Sequence, residues 1–421
     1  MYRRFSVART LFAVVFLPIV AGGWTLGGCA EPRRTADPAL LILVSIDGYR
    51  ADYLDRGHSP VLAALAADGV RAVGMRPVFP SLTFPNHYTL VTGLYPDQHG
   101  MVNNTMHDPV LGSFSPPNRE ANIDGRWWDG AEPIWVTAQN QGLRTASVFY
   151  PGTQAQIRGV RPSFWQLFDS SVPPDARVDQ VLAWLDLPPD QRPTFVSLYF
   201  EQVDVAGHSY GPDSLQVDEA MVTVDAALGR LVAGLRERNV FDTTNLVVVS
   251  DHGMSATSPD RMVFLDQFVN VDHIELWSSI VNVGIDPKPG YAAEVEHALL
   301  GPHPHLQCWK KENLPKKFHY GQNKRIPAIQ CLADDGWMLS TKATESKRTH
   351  PLLGEHGYDN DGPKMRALFV AHGPSFKQHV TVPVFDNINV YALLTKLIGV
   401  KPLPNEGKSA ATAVMLRSPG K

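Results

Sequence analysis

The sequence predicts an α/β protein whose central sheet is mostly parallel and is flanked by helices. Short continuous apolar runs recur along the chain, as expected for strands that are buried on both faces of a sheet. Helical patterns lie between these runs, and this alternation is typical of a parallel sheet covered by helices. Apolar residues make up 44% of the 421 residues and charged residues 19%, which is sufficient for a large core.

The N-terminal residues predict a secretory signal instead of a part of the fold. Three arginines precede an apolar run at residues 11–20, which is too short to span a bilayer. The segment ends in Leu26-Gly27-Gly28-Cys29, which resembles the lipobox of bacterial lipoproteins. We therefore expect a signal at residues 1–28, a lipid on the Cys29 thiol and a linker at residues 29–38. A plain signal peptide that is cut nearby is the alternative.

The apolar runs and helical patterns place the main elements in order. The predicted strands are residues 40–46, 145–150, 195–200, 246–250 and 367–371. Ser59-Pro60 predicts the start of a helix that Asp68-Gly69 ends, because proline suits the first helical turn and glycine the position after the last. The longer helical patterns are residues 217–238 and 390–398.

The stretch from Pro80 to Gly93 predicts a turn that opens a short helix. Pro85 suits the first turn and Gly93 marks the end. Thr83 is then at a helix N-terminus, where free N–H groups and the helix dipole favour a negative oxygen. A threonine hydroxyl is a poor nucleophile at neutral pH and needs such help to react. Thr83 is therefore a candidate nucleophile, and a simple helix cap is the alternative.

Aspartates and histidines follow the predicted strands at their carboxyl ends. In open α/β sheets ligands gather beyond these ends, so residues remote in sequence can meet there. Three aspartates, three histidines and a hydroxyl match the oxygen and nitrogen ligands that zinc accepts. Each of these residues alone is more often a surface or structural residue, but together they predict a metal site: Asp47, Thr83, Asp204, His208, Asp251, His252 and His356.

Spacing constrains two pairs in this set. Asp204 and His208 are four residues apart, which places both on one face of a helical turn. Asp251 and His252 are adjacent, so a regular strand would point them to opposite faces. They can share one site only where the strand ends, and Gly253 permits that change of direction.

The motifs occur in the order of one family. The chain resembles the nucleotide pyrophosphatase/phosphodiesterases of the alkaline phosphatase superfamily from about Leu40 to Asn387. The resemblance implies an alkaline-phosphatase-like sandwich, with a catalytic domain at residues 39–421 and a smaller insertion at about 257–348. It is carried by Leu43-Val44-Ser45-Ile46-Asp47-Gly48, Pro80-Ser81-Leu82-Thr83-Phe84-Pro85-Asn86-His87, Asp204 with Gly207-His208, Ser250-Asp251-His252-Gly253-Met254 and His356-Gly357-Tyr358.

The resemblance further implies two zinc ions and a covalent mechanism. One ion would be held by Asp204, His208 and His356, and the other by the remaining ligands, Asp47, Thr83, Asp251 and His252. Thr83 would attack phosphorus and form a phosphothreonine ester. Asn104 would donate a hydrogen bond to a phosphoryl oxygen, although Asn103-Asn104 also suits a plain turn.

Two aromatic residues are candidates for substrate binding. The family stacks a nucleobase on an aromatic side chain directly after the nucleophile, and Phe84 occupies that position. Relatives often carry a second aromatic in the region of Phe168, although such a residue can equally belong to the core. Stacking tolerates any base, so we expect small nucleotide substrates, nucleoside 5′-monophosphate products and a loose base preference.

Charge and cysteine content limit the partners and the location. The net charge of −4 and the absence of a basic stripe argue against binding of nucleic-acid polymers. We expect an exported monomer in the periplasm or cell envelope, in contact with the membrane only through a lipid on Cys29. In an exported protein the two other cysteines, Cys308 and Cys331, are expected to pair.

Other functions are compatible with the same residues. A related enzyme could retain the site and cleave a phosphomonoester, a phosphonate or a lipid headgroup. A sulfatase is disfavoured, because the Cys/Ser-x-Pro-x-Arg sequence of that family is absent around Thr83. A non-catalytic metal-containing envelope protein would require the loss of a ligand, and every expected ligand is present.

Overall fold

A computed structural model of the protein describes residues 39–278 and 280–418. The predicted signal, the linker and Cys29 lie outside the described residues. Within the described part of the chain, no helix has the length and apolar character needed to cross a membrane.

The chain alternates between strands and helices. The strands are β1 (Leu41–Ile46), β2 (Val70–Ala72), β3 (Met75–Arg76), β4 (Met106–Asp108), β5 (Gly112–Phe114), β6 (Thr145–Val148), β7 (Phe164–Trp165), β8 (Phe195–Phe200), β9 (Asn245–Val249), β10 (Ser255–Ala256), β11 (Met262–Phe264), β12 (Ile274–Ser278), β13 (Asn282–Pro287), β14 (Leu306–Lys310), β15 (Ile329–Ala333), β16 (Met338–Ser340), β17 (Gly354–Glu355), β18 (Phe369–His372), β19 (Val380–Val382) and β20 (Phe385–Asp386). The helices are α1 (Pro60–Asp68), α2 (Thr83–Thr92), α3 (Pro96–His99), α4 (Arg119–Ile123), α5 (Ile134–Asn140), α6 (Pro174–Leu185), α7 (Gln202–Tyr210), α8 (Leu215–Glu237), α9 (Ala292–Leu299), α10 (Lys342–Glu345), α11 (Val390–Leu397) and α12 (Ser409–Ala413).

The central sheet has eight strands in the order β19-β2-β18-β9-β1-β8-β6-β7. Strand β1 lies between β8 and β9 and runs parallel to both. Strand β18 pairs antiparallel with β9 and β2 and runs opposite to the other seven strands. The sheet is therefore mostly parallel, as the apolar runs predict.

Both faces of this sheet are buried. Alternate residues of β1 enter different cores, with Leu41 and Leu43 on one side and Ile42 and Val44 on the other. Helices α2, α5 and α11 contribute to the first core, and α1, α6, α7 and α8 contribute to the second. The side-chain alternation of a strand thus explains why a continuous apolar run is required here.

The predicted elements agree closely with the observed ones. The prediction for β8 is correct at both ends, and α1 begins at Pro60 and ends at Asp68 as expected. The run at residues 367–371 was shifted relative to β18, which starts at Phe369. The reason is that Ala367 bridges to Met75 and Arg50 and does not join the main ladder.

A separate four-stranded antiparallel sheet, in the order β12-β13-β15-β14, lies within the segment predicted as an insertion. Cys308 and Cys331 face each other across β14 and β15 and form a disulfide, which confirms the predicted pairing. Arg325 ties this region to the rest of the chain, because its guanidinium bonds the Asp108 carboxylate and the carbonyl oxygens of Gly100 and Trp127 at 2.8–3.0 Å. This contact fixes strand β4, which follows Asn104.

Candidate metal centre and nucleophile

Three neighbouring strands bring the three aspartates to one edge of the sheet. Strands β8, β1 and β9 are parallel and in register, so the segments that follow them leave the sheet side by side. These segments carry Asp204, Asp47 and Asp251. Gly48 makes the close approach possible, because it has a φ of +65° and a Cβ there would lie 2.9 Å from the Asp204 Cα.

His252 lies at the centre of the cluster. Its Nε2 is 2.9 Å from Asp251 Oδ2, 3.5 Å from Asp47 Oδ1 and 3.3 Å from Thr83 Oγ1. Asp47, Asp251 and His252 are almost completely buried. These four residues, which the resemblance assigns to one ion, therefore come together in the structure.

The remaining predicted ligands lie beside this group. Asp204 Oδ2 is 3.4 Å from His208 Nε2, and Asp204 Oδ1 is 3.7 Å from His356 Nε2. Asp204 and His208 are both on α7, as their spacing predicts. The His356 ring stacks on the His252 ring with 3.6 Å between centroids, which joins the two halves of the cluster. All seven predicted residues thus converge in one place.

The grouping of ligand atoms differs from the division that the resemblance implies. Two sets of three residues have ligand atoms within 4.8 Å of one another, namely Asp204, His252 and His356, and Asp47, His87 and Asp251. The first set contains His252, which the resemblance assigns to the other ion, the one bound by Asp47, Thr83 and Asp251. The second set contains His87, which the sequence reasoning missed.

His87 contacts the cluster through one of its ring nitrogens. Its Nδ1 is 2.9 Å from the Thr83 carbonyl oxygen and 3.3 Å from Asp251 Oδ2, and its Nε2 is 2.8 Å from Ser45 Oγ. A carbonyl and a carboxylate only accept hydrogen bonds, so Nδ1 carries the proton and is not available to a metal ion. Its position four residues after Thr83, on the same face of α2, was the signal that could have identified it.

Unpaired carboxylate oxygens show that the cluster suits a cation. Asp47 Oδ1, Asp204 Oδ1 and Asp251 Oδ2 are buried and accept no well-aligned hydrogen bond within the described part of the chain, although imidazole nitrogens lie 2.9–3.7 Å from them. Burying a charged carboxylate oxygen is costly unless it accepts a hydrogen bond, pairs with a cation or coordinates a metal ion. The same three oxygens face the histidine Nε2 atoms.

The histidines are oriented for metal binding by the backbone. The Nδ1 atoms of His208, His252 and His356 lie 2.8–2.9 Å from the carbonyl oxygens of Gly354, Gly253 and Ser81, respectively. Each Nδ1 therefore donates its proton to a carbonyl, and each Nε2 keeps its lone pair for a metal ion. The donor set of carboxylate oxygens and imidazole nitrogens fits zinc.

The electrostatics of the cluster point in the same direction. Burial, with Asp251 and Asp204 nearby, raises the pKa of Asp47 well above its ordinary value. Burial also opposes the charge of Asp251, but His252 and His87 hold its pKa well below the usual range. Three buried carboxylates therefore compete for too little positive charge, and a divalent cation would supply the compensation.

The candidate nucleophile begins helix α2. Leu82 is the capping residue, and Thr83 is the first residue of the helix. The turn that precedes it is held by Asn86, whose amide group bonds the Val78 N–H and the carbonyl oxygens of Pro80 and Leu82. Since Leu82 and not Thr83 occupies the capping position, and the Thr83 hydroxyl faces His252, the alternative of a simple helix cap is not supported.

Asn104 lies next to this helix start. Its Oδ1 accepts a hydrogen bond from the Phe84 N–H at 2.9 Å. This bond fixes the amide orientation and leaves the two Nδ2 donors for another acceptor. Asn104 is therefore positioned as more than a turn residue.

The two aromatic candidates have different surroundings. Phe84 is partly buried and packs against the rings of Phe114 and Trp128, with centroids 5.2 and 5.9 Å away. Phe168 is 38% exposed and packs edge-on against Phe149 and Tyr199. Because the Tyr199 hydroxyl bonds Asp47, Phe168 lies at the border of the cluster.

Together, the fold and the site define an α/β protein with a candidate metal centre beside a candidate nucleophilic hydroxyl. The model of the family described as Type I phosphodiesterase / nucleotide pyrophosphatase matches residues 41–359. The chain belongs to this family.

Relatives extend the comparison to most of the chain. The venom phosphodiesterase CdcPDE of Crotalus durissus collilineatus is 38% identical over 94% of this chain and 49% of its own length. Human ectonucleotide pyrophosphatase/phosphodiesterase family member 1 is 38% identical over 90% of this chain and 42% of its own length. The chain therefore spans about half the length of these relatives or less.

A solved structure gives the same fold. Murine ectonucleotide pyrophosphatase/phosphodiesterase 5, as an inactive threonine-to-alanine variant in complex with AMP, superimposes with a TM-score of 0.86. It is 35% identical, and the match covers 90% of this chain and all of that one. The predicted alkaline-phosphatase-like sandwich is thereby confirmed.

Proposed function

We propose that this chain is a two-zinc phosphodiesterase that hydrolyses nucleotide phosphodiester or pyrophosphate bonds and releases nucleoside 5′-monophosphates. The observation that carries the proposal is the position of the Thr83 hydroxyl, 3.3 Å from His252 Nε2 within a largely buried group of three aspartates and three histidines. Family membership supports the reaction class, and the arrangement of side chains supports the mechanism.

The proposed ligands form two sets at the same edge of the sheet, one for each zinc ion. Asp204, His208 and His356 would hold one ion, and Asp47, Thr83, Asp251 and His252 would hold the other. The distances from His252 Nε2 to Asp251, Asp47 and Thr83 support its place in the second set. Zinc bound in such a pair lowers the pKa of a hydroxyl or water and neutralises charge on the attacking and leaving oxygens.

The residues of the chain then bind and orient the reacting groups. The Thr83 hydroxyl, at the N-terminus of α2, gives its proton to solvent and its oxygen forms a bond to phosphorus, while the bond to the leaving alcohol or phosphate breaks and the leaving oxygen takes up a proton from solvent. Asn104 directs its Nδ2 donors to a phosphoryl oxygen, since its Oδ1 already accepts the Phe84 N–H. Water subsequently cleaves the phosphothreonine ester, which regenerates the hydroxyl and releases the nucleoside 5′-monophosphate.

The proposed substrates are small nucleotides. Phe84 stacks on the base, and its contacts with Phe114 and Trp128 support this role because they hold the ring in place. Phe168 forms a second wall. The solved structure of a relative, an inactive threonine-to-alanine variant in complex with AMP, supports a nucleotide ligand and a threonine nucleophile.

The proposal includes an origin and a location. We infer a bacterial lipoprotein that is exported to the periplasm or cell envelope, is anchored through Cys29 and acts as a monomer, with residues 39–421 as its catalytic domain and residues 257–348 as an insertion. The disulfide between Cys308 and Cys331 supports an oxidising compartment. Mass spectrometry of protein from its native membrane fraction should find a lipid on Cys29, and an unmodified N-terminus at another residue would contradict the anchor.

A substrate panel tests the function. Steady-state rates should be compared for a nucleotide diester, a nucleotide monoester and a sulfate ester, before and after removal of metal with a chelator. We expect turnover of the diester, its loss on chelation, recovery with zinc and about two zinc ions per active chain. A higher kcat/KM for the monoester than for the diester would instead favour a phosphomonoesterase.

A further inference from the structure

Tyr199 bonds a proposed metal ligand at the base of the cluster. It lies in β8, next to β1 and in register with Ser45, and is 7% exposed. Its hydroxyl donates a hydrogen bond of 2.6 Å to Asp47 Oδ2. The other oxygen, Asp47 Oδ1, is buried without a hydrogen-bond partner among the described residues and lies 3.5 Å from His252 Nε2. The two oxygens of this carboxylate therefore have distinct surroundings.

We propose that Tyr199 is a positioning residue that selects which oxygen of Asp47 faces the metal ion. The inference rests on the proposed function, because it assumes that Asp47 is a ligand. The phenol occupies Oδ2 and fixes the rotation of the carboxylate about its Cβ–Cγ bond. Oδ1 is thereby presented to the ion as a single ligand atom.

The surroundings of Tyr199 hold its hydroxyl in place. Its ring packs edge-on against His87, with 5.3 Å between centroids, and against Phe168 at 6.2 Å. His87 is itself tied to Ser45, Thr83 and Asp251. The hydroxyl therefore has little freedom to move away from Asp47. Partners of this kind around a ligand typically change metal affinity or activity by about 10- to 100-fold when they are removed.

A purely structural role is the competing explanation. A buried tyrosine hydroxyl needs an acceptor, and Asp47 could simply meet that need. In that case removal of the hydroxyl would change the stability of the protein and leave its affinity for zinc unaltered. The affinity of each zinc site is therefore the discriminating measurement.

The test is the substitution Tyr199→Phe, which removes one hydroxyl and retains the ring. Tyr150→Phe is a matched control, because Tyr150 is also buried, packs on His87 and donates through its hydroxyl to the His87 carbonyl oxygen at 2.9 Å. Zinc affinities of the full chain are measured by competition with a chromophoric chelator, after circular dichroism has established that the metal-free proteins are folded.

We expect Y199F to bind one of its two zinc ions about 10- to 100-fold more weakly, with the other nearly unchanged. At saturating zinc, its kcat should recover most of the parent value. Y150F should bind both ions as the parent does. If Y199F binds both ions within about threefold of the parent, the positioning role is refuted.

A double variant provides a second test of the same inference. If Tyr199 acts through Asp47, adding Y199F to a D47N protein should change zinc affinity by less than about threefold, because the coupled partner is already altered. An equal loss in both backgrounds would overturn the inference. A parent protein that binds no zinc or does not cleave nucleotide diesters would refute the proposed function instead.

Discussion

The substitution Thr83→Ala separates catalysis from folding. Thr83 is the first residue of α2, and Leu82, not Thr83, occupies the capping position. Its recorded partner is His252 Nε2, at 3.3 Å. The side chain is therefore placed for chemistry and contributes little to the stability of the helix.

The expected effect on stability is small. Loss of a hydrogen bond of this length costs about 1 kcal/mol, and alanine offsets about half of that through its higher helix propensity. We therefore expect the free energy of unfolding to change by less than about 1 kcal/mol. The expected effect on turnover is much larger, at about 10³-fold or more, which corresponds to at least 4 kcal/mol in the barrier.

The assay compares the zinc-loaded parent, T83A and T83S on one nucleotide diester, and urea unfolding of each protein provides the stability. T83S retains the hydroxyl and should keep part of the activity, and brief acid quenching during turnover should trap a nucleoside monophosphate on the parent but not on T83A. A folded, zinc-loaded T83A protein that hydrolyses the diester within about tenfold of the parent rate would refute the mechanism.

Two further predictions follow from other residues. In F84A, kcat/KM for nucleotide diesters should fall by a factor that corresponds to about 1–3 kcal/mol, mainly through a higher KM. A non-nucleotide diester such as methyl p-nitrophenyl phosphate should be hydrolysed with little change, and an equal loss on both substrates would show that Phe84 is structural. Burial lowers the pKa of His99 to about 3, while its Nδ1 accepts the Met101 N–H and its Nε2 lies 3.0 Å from Thr89 Oγ1. In the unfolded chain the pKa of this histidine is about 6.5, so below that pH the unfolded state binds a proton that the folded state does not, and the free energy of unfolding decreases as the pH is lowered. Between pH 7 and pH 5 the parent should therefore lose about 2 kcal/mol more stability than H99Q, as measured by urea unfolding. An equal loss in both proteins would contradict a neutral buried His99, because the metal contribution common to both cancels in the comparison.

The fold was predictable because its signals are local. Strand β8 is a continuous apolar run that is buried on both faces, so composition alone determines its ends. Helix α1 carries its own start and end residues, Pro60 and Gly69. By contrast, the bridges of Ala367 to Met75 and Arg50 depend on strands distant in sequence, and the apolar pattern could not reveal them.

The candidate ligands were also predictable, because the strand-end rule places remote residues at one edge without knowledge of distances. Their supporting residues were harder to predict. The four-residue spacing from Thr83 could have identified His87, whereas Tyr199 lies in a continuous apolar run and resembles an ordinary core residue. The contacts of both depend on strand register and side-chain rotamers. The assignment of His252 to one ion or the other depends on the exact positions of its neighbours, which no sequence pattern determines.

The histidines and the aspartates of the cluster are oriented by different kinds of hydrogen-bond partner. Backbone carbonyl oxygens hold the Nδ1 atoms of His208, His252 and His356, so these rings are oriented by the path of the chain whatever side chains surround them. A carboxylate has two equivalent oxygens and cannot be oriented by one carbonyl, since a carbonyl does not donate. It requires donors, which the Gly48 N–H and the Ser250 hydroxyl supply to Asp251 Oδ1 and the Tyr199 hydroxyl supplies to Asp47 Oδ2. A single side-chain substitution can therefore disturb the orientation of an aspartate, and Tyr199→Phe is the change that does so for Asp47.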